Sequence, residues 1–341
     1  MRRPQDAPLF RCLMQGLKRA MESRFLGNSD VQIRPVAMGC WPIAGMTSVN
    51  VNDKDSRATL TAAFESGVNF FDTAYCYGAN GESERLIGEV LGANREEIVY
   101  ATKGGIHWTE DRQRVHDACP DTLKAECETS LARLGTNHVE LYYLHAPDPA
   151  VPIRESAGAI ADLIQAGKVR FAGVSNVNLQ QLRDFQSECP VTAIQPPYNM
   201  LQREIEAELV PYCLAHDISI LVYWPLMKGL LAGKLKRDHV FEANDGRAKY
   251  PMFQGTEWRK NQDFLDELRT IAASIGKTVS ELVVNWTVQQ SGITAALCGA
   301  KRGEQITETA AAMTWKLTPG QLQQIDEAIT RRGAVVTKSA V

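Results

Sequence analysis

The sequence predicts an α/β fold: a closed (β/α)8 barrel of eight parallel strands, preceded by a β-hairpin and followed by extra C-terminal helices. Three observations predict it. Short β-branched or aromatic runs alternate with amphipathic helical segments eight times along the chain, and that alternation requires right-handed crossovers and a sheet that closes. Several of those runs stop on a polar or ionisable residue, as expected where strand ends face the mouth of a barrel. No G-x-G-x-x-G follows any strand, which argues against a doubly wound dinucleotide domain.

Taken in order, Ser23 to Val36 reads as two short strands about the turn Gly27-Asn28-Ser29-Asp30. Val36-Ala37-Met38 is the first barrel strand, ending at Gly39-Cys40-Trp41, and Asn52 caps a helix that runs to Gly67. Strand two follows Gly67 at once, its end in the run Phe70 to Gly78, and a helix over Glu82 to Leu91 comes next. Ile98 to Thr102 is strand three, Ile106 to Cys119 a loop that helps to set the substrate, Asp121 to Leu134 a helix, and Val139 to Leu144 strand four. In the helix Ile153 to Ala166, residues Ile153, Ala157, Ile160 and Ile164 share one face. Strand Val169 to Val174, helix Leu179 to Gln186, strand Val191 to Ile194, helix Glu204 to Ala215 and strand Ile218 to Tyr223 continue the alternation. A polar stretch from Lys234 to Trp258 lacks periodicity and is long enough to be functional. Helices Asn261 to Ser274 and Thr278 to Gln290 precede strand eight, Ile293 to Cys298, and a helix over Glu304 to Met313 follows it. The last helix opens at Thr318-Pro319-Gly320-Gln321, a Thr cap with Pro in the first turn and Gln three residues on.

The chain of 341 residues, 44% hydrophobic, fits one barrel domain over residues 21–331. Residues 1–20 carry five Lys and Arg without an apolar run, and read as a disordered extension or a mis-called start; residues 332–341 read as a tail. A net charge of -3 gives no electrostatic case for nucleic acid, and no apolar stretch is long enough to span a membrane. Eight Cys without C-x-x-C spacing indicate neither a zinc site nor a disulfide framework, so a reducing cytoplasmic setting is expected.

Asp72, Lys103 and His145 lie at strand ends, and Tyr75 and Tyr77 follow Asp72 closely. A phenol has a reference pKa of about 10, and a neighbouring ammonium stabilises the phenolate and lowers it. Lys103 takes this part for a tyrosine, Asp72 holds the ammonium charged, and His145 donates a hydrogen bond to a substrate oxygen or orients the phenol. Such a set suits reversible reduction of a carbonyl, since the growing alkoxide needs a proton donor. A protein has no hydride source of its own, so a nicotinamide cofactor is expected.

The chain resembles the aldo-keto reductases from Met21 to Thr330. The motifs that carry the resemblance are Asp-Thr-Ala-x-x-Tyr-Gly at Asp72 to Gly78, Thr102-Lys103, Tyr142 to His145, and Gly-Val-Ser-Asn at Gly173 to Asn176. Gln195 with Tyr198-Asn199, Tyr223-x-Pro-Leu, and Gly233-Lys234 add to them. The resemblance implies a (β/α)8 barrel binding NADP(H) and a small aldehyde, ketone or sugar substrate. It selects Tyr77 over Tyr75 as the acid, with Asp72, Lys103 and His145 in support. It further implies that Ser175, Asn176 and Gln195 hold the nicotinamide carboxamide, that Tyr223 stacks on its ring with Trp224 beside it, and that Gly39 and Trp41 line the reacting end. The run Leu226 to Lys234, including Lys228 and Gly229, would pass along the pyrophosphate. The segment from Gly299 through Lys301, Arg302, Gln305, Glu308 and Thr309 sits where the family grips the 2′-phosphate and adenine, and Lys301-Arg302 at a helix start suit a phosphate.

Three departures stand out from the family pattern. Trp224 replaces a small residue, Met227-Lys228 replaces a glycine-bearing pair, and Thr309 replaces an Asn, so a differently shaped pyrophosphate loop and a weaker adenine contact are expected. Other functions are distinguishable. A cofactor-binding regulatory subunit would turn over slowly, an aldose dehydrogenase would work in the oxidative direction, and a Schiff-base lyase would need Lys103 neutral, which Asp72 opposes. A metal-dependent hydrolase lacks its His-x-His at the first strand end, and no metal site is expected.

Overall fold

The computed structural model describes residues 22–45, 50–243 and 245–336. Residues 1–20 and the end of the expected tail lie outside the described residues.

Twelve strands are formed among the described residues. Strands β1 (Arg24–Phe25) and β2 (Gln32–Ile33) make the expected antiparallel hairpin. The barrel strands are β3 (Val36–Gly39), β4 (Phe70–Asp72) and β5 (Val99–Gly104), then, after a second hairpin of β6 (Ile106–Trp108) and β7 (Arg114–His116), β8 (Val139–Leu144), β9 (Val169–Ser175), β10 (Val191–Gln195), β11 (Ser219–Val222) and β12 (Ile293–Gly299). The eight pair in parallel and close, with β12 joined to β3 through Gly299 opposite Gly39.

Side chains of a strand alternate between the helix layer and the barrel interior. Ala37, Phe70, Val99, Ala101, Leu141, Tyr143, Ala193, Leu221, Ala295 and Leu297 form the inner layer, and Leu26, Val31 and Ile33 of the first hairpin plug it from below. Val36, Met38, Phe71, Tyr100, Tyr142 and Leu144 belong to the outer layer against the helices. The inward parity continues to the strand ends. Phe70 is followed two residues on by Asp72, Ala101 by Lys103, Tyr143 by His145, Ala193 by Gln195 and Leu221 by Tyr223. Register then levels these ends, with Asp72 beside Gly39 and Lys103 beside Tyr143.

The helices follow the expected caps. Asn52 accepts from the Asp55 amide at the head of Asp53–Glu65, and Thr278 and Thr318 each form a capping box. Four expectations need correction. Glu204 to Ala215 is a 3-10 turn at Glu204–Glu206 and then a helix at Leu209–Ala215. Pro211 has no amide proton, and its ring would clash with the Ala207 carbonyl of a continuous helix, so the helix begins late enough to hold Pro211 in its first turn. The segment after β12 is helical only over Gly303–Ala310 and tightens to 3-10 over Ala311–Thr314. The helix expected from Asn261 starts at Gly255, where the polar sequence hides its first turns. The β6–β7 hairpin was expected only as a loop, because its turn over Thr109 to Gln113 has none of the usual Asn-Gly or Asp-Gly chemistry and puts Arg112 at φ 61°.

Helix Pro319–Arg332 carries the chain back onto the barrel. The Arg332 guanidinium is buried, donating to Asn261 Oδ1 at 2.9 Å and Ala334 O at 2.8 Å and pairing with Glu257. Residues 332–336 are thus held against helix Gly255–Ser274.

Gly173 in β9 is required by close approach: a Cβ there would meet the Tyr143 ring at 2.4 Å. Gly173→Ala is expected to destabilise the fold by about 1–3 kcal/mol through overpacking. A lowered urea midpoint with unchanged slope is the measurement that checks it.

Candidate active site

The strand ends and the loop after β4 bring Asp72, Tyr77, Lys103 and His145 together. Lys103 is fully enclosed, and its ammonium spends its three donors within the site: Asp72 Oδ1 at 2.6 Å, the Thr73 carbonyl at 2.8 Å, and the Tyr77 hydroxyl oxygen at 3.4 Å. The second carboxylate oxygen of Asp72 accepts from Gln195 Nε2 at 2.7 Å. Burial pushes the Asp72 carboxyl up, opposed by the Lys103 ammonium and the Gln195 amide. Burial also pushes the Tyr77 phenol well above its ordinary value, and Asp72 adds to that rise. The lowering expected from Lys103 is therefore not the net result: loss of water and the nearby carboxylate outweigh one long contact to an ammonium that Asp72 already holds.

Trp41 packs its ring edge to face with Tyr77 at 4.9 Å, and His145 does so from another side at 5.9 Å. Burial, reinforced by the positive groups Lys103 and Arg114, holds the His145 imidazole well below its usual range, so the ring is neutral at pH 7. Trp108 of the β6–β7 hairpin donates its indole N–H to the Cys76 carbonyl at 2.8 Å and so ties the hairpin to the residue before Tyr77.

The residues expected to face a nicotinamide form one hydrogen-bonded chain beside this group. Asn176, at φ 58°, donates to the His145 carbonyl at 2.9 Å and to Ser175 Oγ at 3.1 Å, and accepts from the Tyr223 hydroxyl at 2.8 Å. Ser175 Oγ donates to the Gln195 carbonyl at 2.7 Å. Gly39 lies level with Asp72, and Gly299 packs against Pro42.

A second cluster lies past the ends of β11 and β12. Trp224, Met227 and Lys228 are all left-handed (φ 59°, 44° and 55°) and Gly229 continues the bend. The Lys228 ammonium sits 4.2 Å from the Trp224 ring centre and 4.6 Å from that of Tyr250. Burial, with Lys249 and Arg247 adding repulsion, lowers it to about 8. Arg247 lies over Gly229 and chelates Asp245, and its charge reaches Lys301. Leu226 packs on the core and its carbonyl accepts from the Gly229 amide at 2.8 Å. Gln305 Oε1 accepts from the backbone amides of Lys301 (2.8 Å) and Arg302 (3.2 Å), Lys234 pairs with Glu308 at 2.5 Å, and the buried Thr309 hydroxyl turns back to the Gln305 carbonyl at 3.1 Å.

Arg247 and Tyr250 were not anticipated. They lie in a stretch without periodicity, and the only signal was its interleaving of basic and aromatic residues.

The sequence model of the Aldo/keto reductase family matches residues 35–330. The chain belongs to that family. Its members are oxidoreductases acting between carbonyl and alcohol. This aldo/keto reductase is 33% identical over 309 residues to an aldo-keto reductase of Bacillus subtilis, covering 90% of this chain and 93% of that one. It is 31% identical over 325 residues to an NADH-specific methylglyoxal reductase of Escherichia coli, covering 90% and 98%. Among solved structures, a glycerol dehydrogenase from Gluconobacter oxydans superposes with a TM-score of 0.86 at 32% identity, covering 94% of this chain and 99% of that one. The closed eight-stranded barrel is thus the fold of the family. No helix among the described residues is long and apolar enough to cross a membrane.

Glu126, from helix Pro120–Leu134, supports the hairpin of this aldo/keto reductase. Its Oε2 accepts from the Gly105 amide at 2.6 Å, and its Oε1 lies 3.1 Å from His107 Nδ1. Burial pushes its carboxyl up to about 8, opposed by the Gly105 amide, whereas in the unfolded chain a glutamate titrates at about 4.3. Between these values the folded chain keeps a proton that the unfolded chain has lost. Glu126 therefore leaves stability untouched at low pH and erodes it as pH rises through the window. Glu126→Gln is expected to remove this part of the slope, and urea midpoints from about pH 5 to about pH 8 check it.

Proposed function

We propose that this family member is an NADP(H)-dependent oxidoreductase that interconverts a small aldehyde, ketone or sugar carbonyl and its alcohol, with Tyr77 as general acid and base. The observation that carries this reading is the fully enclosed Lys103 ammonium, 2.6 Å from Asp72 and 3.4 Å from the Tyr77 hydroxyl oxygen. Because Lys103 donates to that oxygen, the phenol's own proton is free to point at a substrate. Its raised pKa keeps the proton on until an alkoxide begins to form, and Lys103 then stabilises the phenolate. His145, neutral and beside Tyr77, supplies a further donor to the same oxygen.

The residues present suit a polyanionic dinucleotide. Lys228 makes only aromatic contacts, with no carboxylate paired to it among the described residues; the charges of Lys249 and Arg247 reach it, and those of Arg247 and Arg302 reach Lys301. Lys228, Arg247, Lys301 and Arg302 would hold the phosphates, Tyr223, Ser175, Asn176 and Gln195 the nicotinamide, and Gln305, Glu308 and Thr309 the adenosine end. When bound, the nicotinamide supplies the hydride. The enclosed lysine and the packed Trp41 exclude water from the reacting face. A reducing compartment, the cytoplasm, suits a chain whose described cysteines are all free thiols.

A second reading, in the oxidative direction, is favoured by the likeness to a glycerol dehydrogenase. The same residues serve it, with Tyr77 taking the alcohol proton. Rates measured with NADPH on an aldehyde panel and with NADP on polyols and aldoses separate the two.

Tyr77→Phe is expected to lower turnover by about 10²–10⁴-fold while leaving NADPH binding, read by tryptophan quenching, within about twofold. Undiminished turnover in that variant would overturn the assignment of the acid. Replacing Lys301 and Arg302 together by Ala is expected to weaken NADPH binding about 10–100-fold and leave NADH binding nearly unchanged, the loss of charge-assisted hydrogen bonds to a 2′-phosphate. Equal loss with both cofactors would argue against NADP preference, the case set by the NADH-specific relative.

A further inference from the structure

His145 is half-buried at the barrel mouth, and its two ring nitrogens meet different surroundings. Nδ1 lies 3.6 Å from Cys76 Sγ, within reach of a sulfur hydrogen bond. Nε2 makes no hydrogen bond with any described residue. Cys76 is itself 3% exposed, precedes Tyr77 in the chain, and is anchored through its carbonyl by the Trp108 indole at 2.8 Å. The His145 backbone is equally fixed, its amide donating to the Gly104 carbonyl at 2.9 Å and its carbonyl accepting from Asn176 at 2.9 Å. The two side chains therefore meet in one arrangement.

The direction of that contact follows from the chemistry of its atoms. An imidazole nitrogen without a proton is a good acceptor, whereas sulfur is a weak one. A hydrogen bond from S–H to Nδ1 uses the better acceptor, and the reverse would spend the ring's N–H on the poorer one. Burial pushes the Cys76 thiol up to about 12, so its proton stays on sulfur, and burial with the positive groups Lys103 and Arg114 keeps the ring from taking a second proton.

We infer that Cys76 is a positioning residue that fixes His145 in the tautomer with its proton on Nε2, so that the ring offers an N–H donor to the substrate oxygen. Only the last clause rests on the carbonyl chemistry proposed above; the tautomer belongs to the free protein. The residue before the acid thereby sets which nitrogen of the histidine donates, and both partners of the substrate oxygen are arranged by one short segment.

The test is NMR of the free protein with isotope-labelled histidine nitrogens at neutral pH, the His145 signals being identified by their loss in His145→Gln. Wild type and Cys76→Ser, which keeps a donor, are expected to show a protonated Nε2 and a bare Nδ1. Cys76→Ala is expected to show a mixture of tautomers, or the opposite one. In turnover, Cys76→Ala should lose about tenfold in kcat, with a smaller change in KM, and Cys76→Ser should recover most of it, as befits one hydrogen bond. A wild-type ring protonated on Nδ1, or an Ala variant with the wild-type tautomer, would overturn the inference. Equal kinetic loss in both variants without a tautomer change would also overturn it, leaving Cys76 a packing residue. The expected tautomers in a protein that turns over no carbonyl would defeat the proposed activity and leave the positioning of the ring intact.

Discussion

The pairing of Lys103 with Asp72 inside the barrel mouth is the constraint around which the site is built. An ammonium with no exposure to water is expensive unless each of its protons finds an acceptor and its charge a partner. Here the carboxylate, a backbone carbonyl and a phenol oxygen meet that need together, at 2.6, 2.8 and 3.4 Å. Asp72 in turn needs Gln195, Gln195's carbonyl receives Ser175, and Ser175 receives Asn176, which reaches His145 and Tyr223. The polar residues at the mouth thus form one network, with the ion pair at one end of it. Loss of either charged partner would leave the other buried alone, so the pair is as much a condition of folding at the mouth as of chemistry there.

The barrel makes this network by a simple device. Each inward side chain sits two residues from the next, and the sequence changes from apolar to polar at the last inward position of β4, β5 and β10. Below that level the interior is sealed by Phe70, Val99, Ala101, Leu141, Tyr143 and the hairpin residues Leu26, Val31 and Ile33. The polar ring consequently has a dry floor and an open side, and the low dielectric beneath it strengthens every charge interaction above. The same dryness raises the Tyr77 phenol rather than lowering it, in keeping with the proposed role of a proton donor that holds its proton until a partner oxygen accumulates charge.

These relations explain what was legible in the sequence. Strand identity and the inward parity of Asp72, Lys103 and His145 could be read because they follow from period-two patterning and from where an apolar run stops. The caps at Asn52, Thr278 and Thr318 were visible because their chemistry is local. Harder to see were features that depend on distant partners. The β6–β7 hairpin is three residues on each side and is fixed by Glu126 and by the Trp108 bond to Cys76, neither of which leaves a local pattern. Arg247 and Tyr250 close over Trp224 and Lys228 through a segment whose only order is short 3-10 turns. The sign of the Tyr77 shift was misjudged for a related reason: sequence shows that a lysine is near a phenol, but not how little water remains around both.

The two ends of the candidate site also differ in how they hold charge, and the difference has a physical sense. At the reacting end, positive charge is matched in place by Asp72, and the histidine is kept neutral by burial and by its positive neighbours. At the other end, Lys228 has only aromatic faces, Arg247 and Lys249 repel it, and the backbone of Trp224, Met227 and Lys228 is held left-handed at a cost of about 1–2 kcal/mol per residue. Such strain persists where the surrounding structure over-determines it, and it clusters at ligand clamps. The phosphates of the proposed cofactor would raise the lowered Lys228 ammonium toward its ordinary value. On the proposed reading, an ammonium balanced in place by Asp72 at one end and the Lys228 ammonium held only by aromatic faces at the other would orient a two-part ligand along the barrel face, its anionic part over β11 and β12 and its neutral reactive part over Tyr77.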